Sequence, residues 1–180
     1  NGSLILSEVS PVVTFGKRLD SDKFNKIKNK TDDNQILLYQ ADRGGFETYH
    51  GPGQWVLFVV ESLEKITGER KGIKKAVGML LEVAKSVAEE FGVSVSLGED
   101  ERLGVWSEHG KLASVGVSVK QGVLLHGLSL NVFQTQESFC GIRPCGLDAV
   151  ADYLIPTSCE KTFVEVGKRL EQKALKSFWV

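Results

Sequence analysis

A thiol and an amine are the two side chains in this sequence best suited to covalent chemistry on a carbonyl. Cys145 stands in Pro144-Cys145-Gly146. The proline restrains the approach of the chain, and the glycine leaves the sulfur uncrowded and its own N–H available. Only the thiolate is a strong nucleophile, and a free thiol with a pKa near ~8.5 is ionised to roughly a few per cent at neutral pH. An adjacent ammonium lowers that value, about 1.4 kcal/mol of stabilisation moving it by one unit. Lys111 is the candidate. It opens a strand-like run, 111–119, beside a tight turn at Glu108-His109-Gly110, where a side chain can project over the end of a sheet. Each residue also has a purely structural reading. A lone cysteine is commonly a small buried hydrophobe, and a lysine at a hairpin end commonly lies in solvent.

The second chemical feature is a stretch, Arg43-Gly44-Gly45-Phe46-Glu47-Thr48-Tyr49-His50-Gly51-Pro52-Gly53-Gln54, in which four of twelve residues are glycine. Hydrophobic strand-like runs flank it, Ile36 to Tyr39 and Trp55 to Val60. A polar glycine-rich connection held between buried strands is suited to binding as well as to turning. Extended Thr48-Tyr49-His50 places Thr48 and His50 on one face and Tyr49 on the other. His50 and His126 each follow a strand-like run and precede a glycine, and a satisfied structural histidine is the commoner outcome for either. His50, His126 and Cys145 lack short ligand spacing, so no metal is expected. His109, in a hairpin turn, reads as surface.

RGG-x-x-TYHGPGQ resembles the signature of the lipoyl(octanoyl) transferases, also called lipoate–protein ligase B. Two later motifs resemble the same family in the same order. They are Gly110-Lys111-Leu112-Ala113-Ser114-Val115-Gly116 followed by His126-Gly127-Leu128-Ser129-Leu130-Asn131, and Pro144-Cys145-Gly146. The resemblance implies an α+β fold, a mixed or antiparallel sheet packed by helices, like the biotin/lipoate protein ligase catalytic domain. It implies that Cys145 is the acyl-accepting nucleophile and Lys111 its activator. Arg43–His50, Ser114–Gly116 and Gly127–Ser129 would form the acyl tunnel and hold its carbonyl end. His126, Asn131 and Gly146 are implied supporting residues, with backbone N–H groups near Gly146 and Gly116 as oxyanion donors. Family members usually carry a further helix and strand ahead of this chain's first residues; either this chain begins late or its numbering omits a segment, which leaves part of one wall unaccounted for. Ser129 stands where alanine is usual and Arg143 where asparagine is usual.

The activity so implied is transfer of an octanoyl group from acyl carrier protein to a lysine of a lipoyl domain. The acceptors would be 2-oxoacid dehydrogenases or the glycine cleavage H protein, with neither ATP nor metal. Three rivals share parts of the pattern. An ATP-dependent lipoate or biotin ligase has the same implied fold but no need of the Pro-Cys-Gly cysteine. A thioesterase would use the same Cys–Lys pair with water as acceptor. A binding module would need no chemistry at all.

The composition fits. The chain has 180 residues, enough for one domain over 1–180 with a hydrophobic core. Its net charge of −1 gives no bulk attraction for nucleic acid or membrane. No apolar run approaches the ~18 residues of a membrane span. The first residues lack the basic and apolar regions of a signal peptide. Three cysteines without CxxC spacing fit a reducing compartment. A cytoplasmic location is therefore expected. Two local concentrations of basic residues, 17–30 and 65–75, are expected either to be solvated faces or to dock an acidic partner.

The remaining elements must position these groups. Leu4 to Leu6 and Val12 to Phe15 read as short strands joined by a turn at Ser10-Pro11. Glu61 to Lys75 reads as a polar connection. Apolar residues from Ile73 to Phe91 recur at helical spacing, with Gly92 as the C-terminal stop. Val93 to Leu97 alternates as a strand, Gly98 to Glu101 is an acidic turn, and Gly104–Ser107 with Lys111–Val119 reads as a hairpin. Val123–His126 and Leu128–Val132 continue the sheet, Gly127 marking a bulge or a close approach. A Thr157-x-x-Glu160 capping box opens a last helix with Phe163, Val166, Leu170 and Ala174 as its buried stripe.

Overall fold

The computed structural model describes residues 2–17, 25, 28, 36–135, 138, 150–156 and 158–179. Among these are nine strands and three α-helices: β1 (Ser3–Ser7), β2 (Val12–Phe15), β3 (Leu37–Gln40), β4 (Glu47–His50), β5 (Gln54–Ser62), α1 (Leu63–Thr67), α2 (Ile73–Glu90), β6 (Ser96–Gly98), β7 (Gly104–Trp106), β8 (Lys111–Lys120), β9 (Val123–Asn131) and α3 (Glu160–Phe178). They form the expected α+β fold. Six strands make one antiparallel sheet in the order β1-β5-β9-β8-β7-β6, and three make a smaller mixed sheet in the order β3-β2-β4.

The large sheet has two different faces because its long strands alternate. Leu57, Val59, Leu128 and Leu130 are buried on one face, together with Leu80, Ala84 and Val87 of α2 and Val166, Leu170 and Ala174 of α3. The other face is built from cross-strand rows. Val56 pairs with Ser129 and Ser129 with Ser114, while Phe58 pairs with Gly127 and Gly127 with Gly116. These rows carry small side chains in their centre and so leave space above β8 and β9. The small sheet covers that space.

Several elements differ from the sequence reading, each for a non-local reason. β1 and β2 do not form a hairpin: β1 pairs with β5 and β2 with β3 and β4, so residues 8–11 carry the chain from one sheet to the other. The strand expected from Val93 begins only at Ser96. Gly92, at φ +81°, closes α2, and the N–H of Val93 is spent on the carbonyl of Ala88 instead of on a ladder. The polar stretch 61–75 contains α1, capped by the Ser62 hydroxyl and by left-handed Gly68. The acidic turn includes a short 3-10 helix over Asp100–Arg102. α3 starts at Glu160 with Cys159 as its N-cap; Thr157 lies outside the described residues.

β9 runs unbroken through the point read as a junction. A Cβ on Gly127 would lie 2.1 Å from the carbonyl oxygen of Leu57, so close approach of β5 excludes any side chain there. The irregularity is at His126, whose φ is +66°. Strict alternation would put this ring on the helical face with Leu128 and Leu124. The kink turns it the other way.

Candidate active site

A cavity of about 200 Å³ lies between the two sheets. Its floor is formed by Val56, Leu57 and Phe58 of β5, Ser114, Val115 and Gly116 of β8, and Gly127, Leu128 and Ser129 of β9. Its roof comes from Val12 and Thr14 of β2, Thr48 and His50 of β4, and the loop carrying Ala41, Arg43, Gly45 and Phe46; Val9, Glu47 and His126 complete the wall. The volume lies below the ~300–1,000 Å³ of clefts for drug-sized ligands.

The register of the small sheet explains the roof. Val12 pairs with His50 and Thr14 with Thr48, and all four border the cavity. Val13 pairs with Tyr49 on the other face, where both are buried. The loop is fixed by Arg43, which is 8% exposed. Its Nη1 donates to the carbonyls of Gly44 (3.0 Å) and Phe46 (2.9 Å), and its Nη2 to the Thr14 carbonyl (2.9 Å) and hydroxyl (2.7 Å). The N–H of Gly44 donates to the Val117 carbonyl (3.0 Å), pinning the loop to β8, and Gly45 turns it at φ +86°. Arg43 thus acts as a brace. Outside it, Asp42 is paired with Lys120 and with Lys17 (2.6 Å), which together hold its carboxyl down at about 2.

Two histidines border the cavity, and burial disfavours the charged form of both. Desolvation pushes His50 down to about 4, helped by the nearby Arg43 charge and opposed by a hydrogen bond to Gln54. Desolvation also lowers His126, whose Nε2 lies 3.2 Å from the Asp42 carbonyl.

Beyond the Val56–Ser129–Ser114 row comes a buried polar one. Gln54 and Asn131, 3% and 4% exposed, are cross-strand partners. Gln54 Nε2 donates to Asn131 Oδ1 (2.7 Å), and Asn131 Nδ2 donates to the carbonyls of Lys111 (3.2 Å) and Asp152 (3.1 Å). Lys111 itself is only 1% exposed, so it is not a solvated hairpin lysine. Residues 150–152 run beside it as a parallel bridge, with Lys111 N–H donating to Val150 and Asp152 N–H to Lys111. Its Nζ donates to the Leu103 carbonyl (2.7 Å) and lies 5.3 Å from the Trp106 ring centroid. Asp152 in turn accepts from the Ser107 hydroxyl.

The structure therefore brings Arg43, Gly45, Phe46, Glu47, Thr48, His50, Ser114, Val115, Gly116, His126, Gly127, Leu128 and Ser129 around one space. Gly44 and Tyr49 stand behind its wall, and Lys111 and Asn131 stand next to its His50 end. Cys145, Gly146, Cys140 and Arg143 lie outside the described residues. Sequence reasoning missed Val9, Val12, Thr14, Ala41, Val56, Leu57 and Phe58 as lining residues. The alternation of β2 and β5 was legible, but which face meets the cavity depends on pairing across the fold.

Residues 2–169 match the model of the lipoyl protein ligase A/B catalytic domain. The chain belongs to that family. Among lipoyl protein ligase A/B relatives, it is 35% identical over 170 residues to an octanoyltransferase of Desulfotalea psychrophila, covering 92% of this chain and 74% of that one. It is 40% identical over 144 residues to an octanoyltransferase of Magnetococcus marinus, covering 80% and 63%. The chain thus spans about two thirds of the length of these curated relatives. Its fold is that of a putative lipoate protein ligase from T. acidophilum with bound lipoic acid, at a TM-score of 0.72 and 14% identity over 97% of this chain and 73% of that one. A lipoate-protein ligase A bound with ATP matches at 0.70 and 13%, with the same coverage. Among the described residues no helix is long and apolar enough to cross a membrane.

Proposed function

We propose that this domain transfers an octanoyl group from acyl carrier protein to a lysine of a lipoyl domain through a thioester on Cys145, in the cytoplasm. The observation that supports this best is the apolar cavity between the sheets, framed by the first two family motifs and floored in part by β8, the strand that begins at the buried Lys111. The chain enters with its carbonyl toward Lys111 and its tail toward Gly116 and Arg43. Cys145 lies five residues ahead of Val150, which hydrogen-bonds to Lys111.

The chemistry closes without ATP or metal. Cys145 sulfur attacks the donor thioester and the pantetheine thiolate leaves, a nearly isoenergetic exchange. The acceptor amine then attacks the new thioester, sulfur leaves, and the amide product makes the second step downhill. Lys111 supports the Cys145 thiolate as a nearby cation. The acceptors are lipoyl domains of 2-oxoacid dehydrogenases and the glycine cleavage H protein.

Intact mass after mixing with octanoyl carrier protein tests the reading: one octanoyl group is gained, labile to hydroxylamine and lost in Cys145→Ala. In Lys111→Met the alkylation of Cys145 by iodoacetamide shifts toward the pH profile of a free thiol. An adduct on Cys140 or Cys159, or octanoate released as fast without a lipoyl domain as the amide forms with one, defeats transfer through Cys145.

A further inference from the structure

The buried polar row fixes more than the strands. Asn131 Nδ2 faces two backbone carbonyls, and carbonyls only accept, so the amide nitrogen must be the group directed at them. Its oxygen then faces Gln54, which must present its own NH₂; that NH₂ also reaches the Tyr49 carbonyl at 3.4 Å. Gln54 is left with Oε1 toward His50 Nδ1, 2.7 Å away. Oε1 cannot donate. His50 therefore carries its proton on Nδ1, and as a neutral ring keeps a lone pair on Nε2. Among the described residues Nε2 has no hydrogen-bond partner, and the ring borders the cavity, linked through Gln54 and Asn131 to the Lys111 carbonyl.

We propose that Gln54 and Asn131 are positioning residues that hold His50 Nε2 as the acceptor for the amine attacking the acyl-enzyme, an inference that rests on the transfer reading above. Both half-reactions pass through a tetrahedral carbon, but only the second must remove a proton from nitrogen. Lys111 Nζ is directed at the Leu103 carbonyl, whereas His50 keeps a lone pair on Nε2 beside the cavity. The amine nitrogen bonds to the thioester carbon, the C–S bond to Cys145 breaks, and its electron pair leaves on sulfur. One N–H proton passes to His50 Nε2. A weakly basic imidazole suffices here, because nitrogen becomes strongly acidic as the intermediate collapses toward an amide. The proton then returns to the Cys145 thiolate, restoring both groups. His50 would thus be a catalytic residue, with Gln54 and Asn131 setting its tautomer.

The tautomer is read on the wild-type protein by two-bond ¹H–¹⁵N correlation of the imidazole, without any variant. Nδ1–H is expected for His50, whereas Nε2–H overturns the proposal. The second measurement compares two rates in wild type and Gln54→Met: loading from octanoyl carrier protein, and aminolysis of the isolated octanoyl-enzyme by a lipoyl domain. General acid–base groups contribute ~10²–10⁴-fold, so loss of orientation is expected to slow aminolysis at least about tenfold more than loading. Equal effects on both rates overturn the proposal, because a merely structural network would disturb them alike. Failure of wild type to load defeats the transfer reading itself. Normal loading with the wrong tautomer defeats only the His50 assignment.

Discussion

Gly116 is where the cavity can be shortened without touching the groups at its other end. It lies five residues along β8 from Lys111, about 17 Å at ~3.4 Å per residue, and pairs with Gly127 in the floor. A Cβ added at Gly116 would sit 2.9 Å from Arg43 Cδ and 3.7 Å from the Gly44 carbonyl oxygen. Normally a flexible arginine stem would swing aside. Here the guanidinium is anchored by four hydrogen bonds, so the stem is held and the new methyl takes space from the acyl tail. Excluding one methylene forfeits ~0.8 kcal/mol of burial, about fourfold in binding. In Gly116→Ala the preference for octanoyl over hexanoyl carrier protein, read as the ratio of kcat/KM for enzyme loading, should fall about fourfold for each methylene excluded. Decanoyl should fall further, and hexanoyl should stay within about twofold of wild type. An unchanged ratio would place the blind end elsewhere. A parallel fall of hexanoyl and octanoyl would mean that the substitution deforms the domain and that the cavity does not measure chain length.

Two glycines with different constraints should separate in urea. Gly127→Ala drives Cβ into the β5 backbone and should cost ~3 kcal/mol, the upper end for overpacking, or about 1.5 M in midpoint at an m-value of ~2 kcal/mol/M. Gly122→Ala has open space but φ +79° and should lose only ~1–2 kcal/mol; a reversed order would refute both assignments. Asp42, lowered from 3.8 to about 2, contributes stability that is present above pH ~4 and lost as pH falls toward 2. The urea midpoint of Asp42→Asn should therefore lie below wild type at pH 6 and converge with it near pH 2, and 1 M salt should narrow the gap at pH 6. Reversing exposed Lys71 and Lys74 to Glu should slow loading from carrier protein about three- to tenfold at low salt and leave a small octanoyl thioester unaffected. Equal rates with carrier protein at low salt would make the 65–75 charges a solvated face only.

Local pattern carried much of the architecture. The stripes Ala76–Leu80–Ala84–Val87 and Phe163–Val166–Leu170–Ala174 predict two helices with one buried face each, and those faces are buried. Alternation in Thr48-Tyr49-His50 separates Tyr49 from its neighbours, as the register with β2 requires. What local pattern lacks is the partner of each strand. Val12, Thr14, Val56 and Phe58 line the cavity only because β2 and β5 belong to different sheets that face each other. The burial of Lys111 is non-local too: residues 150–152 cover a strand start that looks like an open hairpin. The kink at His126 had no signal at all, since left-handed backbone is expected of the adjacent glycine.

The closure of α2 also bears on how copies of this chain meet one another. Because Val93 gives its N–H to the helix, β6 offers a neighbouring molecule only the three residues Ser96–Gly98, followed at once by Glu99, Asp100 and Glu101. A short, acidic margin is a poor template for strand addition. The opposite margin, β1, is longer and exposes Ile5. Among the described residues, self-association by sheet extension is therefore disfavoured at the β6 margin.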